Sequence, residues 1–156
     1  MSGSDQPIAL EVVLPLPRAA AFSLVVDGIG VWWPPQFRLT GDPDAEIAIE
    51  PHLGGACTEQ DGRGRRLVWG TVLSIEPPLY LRLAWQIAPG RRAIADPAAA
   101  SRVMLSFRDA GETTRLELVH SEFVRHGEDA AAWRAELASA GGWPDGLARL
   151  AAAAGR

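Results

Sequence analysis

The sequence predicts an α+β fold in which a curved antiparallel sheet of about six to seven strands wraps a C-terminal helix, with two short helices after the first strand. Three observations carry this expectation. Most of the chain between Glu46 and Glu122 is β-rich and broken only by short Gly/Pro turns, which leave no room for the crossover helices of a parallel sheet. One helix–break–helix segment follows the first strand. Only the C-terminal segment carries an apolar helical stripe long enough to cover a sheet face.

Each element has a local reason. Ile8–Leu14 is β-rich with imperfect alternation, and Pro15 and Pro17 end it. Pro17 opens a helix from Arg18 to Asp27, since its missing N–H would be unpaired at a helix start anyway. Phe22, Val25, Val26 and Ile29 lie on one side of it; Gly28 and Gly30 interrupt, and Pro34-Pro35 stop a second short helix after Val31-Trp32-Trp33. Glu46–Glu50 is a short strand closed by Pro51. Gly55–Asp61 and Arg66–Glu76 flank Asp61-Gly62-Arg63-Gly64 as a hairpin, and Leu79–Ile87 follows Pro77-Pro78 as the next strand. Residues 88–101 read as a mobile loop with a helical turn. Arg102–Asp109 and Thr113–Glu122 pair across Ala110-Gly111-Glu112. A two-piece helix ends the chain, Asp129–Ala140 and Trp143–Ala154, divided at Gly141-Gly142.

Composition limits function. The chain of 156 residues is expected to form one domain, residues 1–156, with an ordered core from about 8 to 154. A net charge of −4 argues against a broad nucleic-acid or anionic-membrane surface. All 15 basic residues are arginines, a compositional bias given no functional weight. A single cysteine, Cys57, excludes an internal disulfide framework and a Cys-rich zinc module. No apolar run approaches the roughly 20 residues of a membrane span, and Met1–Pro7 lacks the basic and apolar regions of a signal peptide, so a cytoplasmic location is expected. Glycine-rich phosphate loops, a Gly-x-Ser-x-Gly elbow and a His-Glu-x-x-His pair are all missing, and His52, His120 and His126 are scattered. No cofactor and no metal is expected.

The informative residues are aromatic. Trp33, Trp69, Trp85, Trp133 and Trp143 come from five separate elements, joined by Phe37, Phe107 and Phe123. Indoles combine large apolar area with one N–H donor, which suits either an amphipathic ligand site or plain core filling. A curved sheet gripping one helix cannot touch it everywhere, so a cavity between them is expected. Leu116, Leu118 and His120 share strand parity, which turns His120 inward. There it either meets a ligand or is satisfied by a carbonyl or an indole N–H. Glu59 is a cavity group or an exposed hairpin residue, whereas Arg63, with Arg65 and Arg66, reads as a solvated tip. Glu59 also raises rather than lowers the pKa of nearby Cys57, which disfavours a reactive thiolate.

In combination these segments resemble a known pattern. Trp32-Trp33-Pro34, Glu50-Pro51, Gly54-Gly55, Glu59 and Asp61-Gly62 form its first half. Trp69-Gly70-x-Val72, Glu76-Pro77-Pro78, Leu81, Trp85, Thr114-Arg115-x-x-Leu118-x-His120-x-x-Phe123 and Gly142-Trp143-x-x-x-Leu147 complete it. The set resembles the START-related SRPBCC superfamily, in the branch named after the activator of heat-shock protein 90 ATPase, from residue 8 to about 154. The resemblance implies a helix-grip fold around a deep hydrophobic cavity, and binding of hydrophobic small molecules such as lipids. Some relatives it points to are polyketide cyclases, others stimulate a chaperone ATPase. His52 stands where that branch often carries arginine.

Three functions compete. The first is binding of a hydrophobic or aromatic small molecule, with Trp33, Phe37, Glu59, Trp69, Trp85, His120, Phe123 and Trp143 as ligand-binding residues and no catalytic residue assigned. The second is a cyclase or hydrolase using His120 and Glu59 as acid–base groups; without an activated nucleophile it ranks below the first. The third is a chaperone-associated module acting through the Asp61–Arg66 tip or the 88–101 loop, as a monomer or homodimer.

Overall fold

A computed structural model describes residues 6–156; the signal-peptide reading of Met1–Asp5 lies outside the described residues. The elements are β1 (Ile8–Leu14), α1 (Arg18–Val26), α2 (Ile29–Trp32), β2 (Glu46–Ile49), β3 (Ala56–Gln60), β4 (Arg66–Glu76), β5 (Tyr80–Trp85), β6 (Ile87–Ala88), β7 (Arg92–Ala93), β8 (Ser101–Ala110), β9 (Thr113–Ser121), α3 (Ala130–Ala138) and α4 (Trp143–Ala154). Seven strands make one antiparallel sheet in the order β1-β9-β8-β5-β4-β3-β2. Consecutive strands from β2 to β5 form a meander because their turns are too short for anything else. The helical connection between β1 and β2 instead carries the chain from one edge of the sheet to the other.

The sheet curls where β3 and β4 carry register shifts, at Cys57/Thr58 and between Val72 and Ser74. Gly70 sits at this bend because a Cβ there would lie 2.8 Å from the Ala84 carbonyl oxygen. Alternation decides what the concave face presents: Val103, Leu105 and Phe107 from β8, and Leu116, Leu118 and His120 from β9, are all buried. α4 closes that face with Trp143, Leu147, Leu150 and Ala154, one side of an amphipathic helix. Its Gly146 brings the Pro34 and Phe37 side chains close to the helix backbone. This is the helix-grip architecture, and the two-piece C-terminal helix is present as α3 and α4.

The 88–101 segment departs from the expected mobile loop. Gln86 is buried, so its amide must find partners. Its Nε2 donates to the Ile94 carbonyl (2.8 Å), its Oε1 accepts from Thr71 Oγ1 (2.6 Å), and its carbonyl accepts from Ile94 N–H (2.9 Å). These bonds fold the segment into the β6–β7 hairpin, after which Asp96 caps a 3₁₀ turn at Pro97–Ala99.

Candidate functional site

The sheet, the α2–β2 connection and α4 bring seven expected site rings into one cluster. Trp33 and Phe37 flank the Pro34-Pro35 break, Trp69 and Trp85 project from β4 and β5, His120 from β9, Phe123 from the turn after β9, and Trp143 from the first turn of α4. Trp33 lies on Trp69 with ring centroids 4.3 Å apart, Phe37 meets Trp85 and Trp143 edge-on at 5.2 Å, and His120 stacks on Phe123 at 4.3 Å. These are the tilted and edge-to-face geometries that aromatic quadrupoles favour. None of the seven is more than 5% exposed.

Where a cavity was expected, these rings pack against one another. The rings occupy the gap between sheet and helix, because six segments of the chain each contribute a bulky side chain to the same space. A void of about 60 Å³ reaches the cluster at Phe37, bounded also by Gln36, Trp133, Glu136, Leu137, Gly141 and Gly142. Small-molecule sites ordinarily need roughly 300–1,000 Å³. A guest would have to move side chains.

Two polar atoms inside the cluster are unmatched: the indole N–H groups of Trp33 and Trp85 are buried without any hydrogen-bond partner among the described residues. The other indoles are paired. Trp69 donates to the Thr58 carbonyl (3.0 Å), Trp133 to the Ile87 carbonyl (2.9 Å), Trp32 to the Val25 carbonyl (3.4 Å) and Trp143 to His120 Nδ1 (2.9 Å). Leaving a buried donor unmade costs about 1–3 kcal/mol, so two together require a reason.

His120 is completely buried and bonded at both ring nitrogens, to Trp143 and to Ser101 Oγ (2.7 Å). Ser101 Oγ also lies 2.7 Å from His126 Nε2. Burial, helped by the neighbouring His126, holds the His120 pKa well below the ordinary histidine range. Burial also lowers His126 to about 4. Both rings are neutral near pH 7.

Glu59, left open between cavity group and exposed hairpin residue, is buried. Its carboxylate accepts from Leu39 N–H (2.7 Å), Thr40 N–H (2.8 Å) and Thr40 Oγ1, anchoring the loop behind Phe37. Among the described residues Glu59 and His120 share no hydrogen bond: the carboxylate is engaged by Leu39 and Thr40, the imidazole by Trp143 and Ser101. Cys57 is buried in β3, its thiol pKa pushed far up by desolvation and by Glu50. Arg63 and His52 are exposed, and no group of three metal-ligating side chains forms among the described residues. Ser101 and His126 were missed by sequence reasoning. Strand parity places Ser101 on the face of Val103 and Leu105, but nothing in the sequence couples it to histidines 19 and 25 residues away.

A curled antiparallel half-barrel gripping a C-terminal helix, with an aromatic cluster between them, defines a helix-grip protein of the SRPBCC type. Residues 26–155 match the family model described as activator of Hsp90 ATPase homolog 1-like protein, and the chain belongs to that family. Among solved structures it is similar to Txn09, an anthrahydroquino-γ-pyrone synthase complexed with SUM (TM-score 0.67, 31% identity, 97% of this chain and 98% of that one). CalC, a self-sacrificing resistance protein from Micromonospora echinospora, shares the fold (TM-score 0.66, 22% identity, 97% and 95% covered). So does NE0264 from Nitrosomonas europaea (TM-score 0.67, 12% identity, 97% and 96% covered). No curated protein matches the sequence. Among the described residues no helix is long and apolar enough to cross a membrane.

Proposed function

We propose that this protein binds a flat polycyclic aromatic molecule carrying carbonyl or hydroxyl oxygens, between the sheet and α4. The unpaired indole N–H groups of Trp33 and Trp85 carry this reading. They are donors with no acceptor inside a wall of rings, and an oxygen-bearing aromatic supplies both stacking surface and acceptor. The pairing with Txn09, whose name describes a fused aromatic pyrone product, supports the same chemistry.

Entry runs past α3. This helix buries only Ala130, Trp133 and Leu137, and its remaining side chains are small or polar. It lies between Gly127, at φ +79°, and the Gly141-Gly142 pair. Swinging it outward breaks the Trp133–Ile87 bond and enlarges the void beside Phe37. Trp33, Phe37, Trp69, Trp85, His120, Phe123 and Trp143 then face the guest, while Glu59 keeps the loop behind Phe37 in place. A chaperone-docking surface is less favoured, since the exposed large apolar side chains Val13, Val31, Leu53, Leu79 and Val124 are spread over separate elements.

Titration with 1,8-dihydroxyanthraquinone, followed by tryptophan fluorescence and amide exchange, tests the proposal. Saturable quenching, faster exchange in α3 and weaker binding by Trp85→Phe are expected. Absence of saturable quenching up to the solubility limit overturns it.

A further inference from the structure

We propose that His120, Ser101 and His126 form a proton relay through which the interior site moves a proton between a bound enolisable aromatic ketone and solvent, making the protein a catalyst of enolisation. The inference rests on the ligand reading above and goes beyond it by assigning a reaction.

The hydrogen-bond chain has one direction. An indole N–H only donates, so His120 Nδ1, 2.9 Å from Trp143 Nε1, holds a lone pair. The neutral ring then carries its proton on Nε2 and donates to Ser101 Oγ at 2.7 Å. The serine hydroxyl has one proton to give, and His126 Nε2 lies 2.7 Å away. Ser101 N–H points at that same nitrogen at 3.2 Å, which confirms it as an acceptor and leaves the His126 proton on Nδ1. His126 is half-buried and Nδ1 has no protein partner among the described residues, so the chain runs from the sealed cluster to the surface. β8–β9 pairing sets the spacing: Val103 faces His120 across the ladder, and Ser101 follows on the same side. Next in sequence to the relay residues, Glu122 bonds Arg82 and Arg125, and Arg102 lies close to the same group.

The step balances without any co-reactant. The guest displaces the Trp143 N–H from His120 Nδ1 as the adjoining Gly141-Gly142 segment opens. A C–H between two carbonyls, or a phenolic O–H, passes its proton to Nδ1. The Nε2 proton goes to Ser101 Oγ, the serine proton to His126 Nε2, and the Nδ1 proton of His126 to water. The electron pair of the broken bond stays on the guest as an enolate, whose oxygen meets the Trp33 and Trp85 N–H groups, carried on rings with centroids 5.9 Å apart. Reversal of the chain returns a proton to another atom of the enolate, yielding a tautomer and restoring both histidines.

The test uses the full chain with benzoylacetone, whose keto–enol interconversion is read by ultraviolet absorbance. Saturable acceleration is expected in the native protein. Ser101→Ala and His126→Ala should each lower kcat by about 100-fold with KM changed less than about threefold. Added imidazole should restore part of the His126→Ala rate, and the solvent deuterium isotope effect of the native protein should fall in both variants. His126 is half-buried, so its variant keeps the test valid if Ser101→Ala fails to fold. Wild-type kcat in either folded variant overturns the relay. Fluorescence quenching by benzoylacetone without acceleration overturns the relay and leaves the ligand reading standing; neither quenching nor acceleration, with no quenching by the anthraquinone, overturns both.

Discussion

Trp143, from the first turn of α4, donates its indole N–H to Nδ1 of His120 on β9, a 2.9 Å bond that locks the C-terminal helix to the sheet through two fully enclosed rings. Trp143→Phe removes the donor and strands a buried imidazole lone pair. Urea unfolding should show a loss of about 2 kcal/mol. The same variant should shift the His120 ring nitrogens in ¹⁵N spectra toward a mixed tautomer.

Acid should weaken the fold well above the carboxylate range. His120 and His126 stay neutral in the native protein because burial depresses their pKa values, His126 to about 4. Once unfolded, both take up protons below about pH 6.5. Stability is therefore full above that pH and falls as pH drops toward the native values. For His120 alone the slope is roughly 1.4 kcal/mol per pH unit. Urea midpoints at pH 7, 6 and 5 should decline, and His120→Asn should flatten the decline whatever its effect at pH 7.

The indoles should divide into two classes. Trp69→Phe loses a ring and a hydrogen bond to Thr58, whereas Trp33→Phe and Trp85→Phe lose a ring and a donor that had no partner. The latter two should cost about 1 kcal/mol less than Trp69→Phe in denaturant unfolding.

Glu59→Gln should destabilise by about 2–3 kcal/mol, because an NH₂ group then opposes one of the donors from Leu39 and Thr40. Amide exchange at Leu39 and Thr40 should accelerate while β8 and β9 stay protected. If those two amides kept native protection, the anchoring role would be wrong.

Much of the architecture was legible because it depends on local chemistry. Alternation along Leu116, Leu118 and His120 turned the histidine inward, prolines closed the strands, and Gly141-Gly142 divided the final helix. Of the eight aromatic residues singled out, Trp33, Phe37, Trp69, Trp85, Phe123 and Trp143 meet around His120, whereas Phe107 packs on Phe22 and Trp133 bonds to Ile87 instead. In the 88–101 segment the helical turn was legible and stands at Pro97–Ala99, but the β6–β7 hairpin was not, since glycine, prolines and alanines signal a loop while the pairing is held by the buried Gln86 just before it. Glu59 was left open because its partners, Leu39 and Thr40, lie 20 and 19 residues upstream.

Amino-acid order alone settled the strands of the main sheet, the meander and the inward faces, because period, turn chemistry and β-propensity act over a few neighbouring residues. Whether the space between sheet and helix stands hollow or packed was settled only in three dimensions. Parity says which way a ring points but not how much volume is left once rings from separate elements meet. The Trp143–His120–Ser101–His126 chain belongs to the same category, since it exists only where β8, β9, the turn after them and α4 converge to within hydrogen-bonding distance.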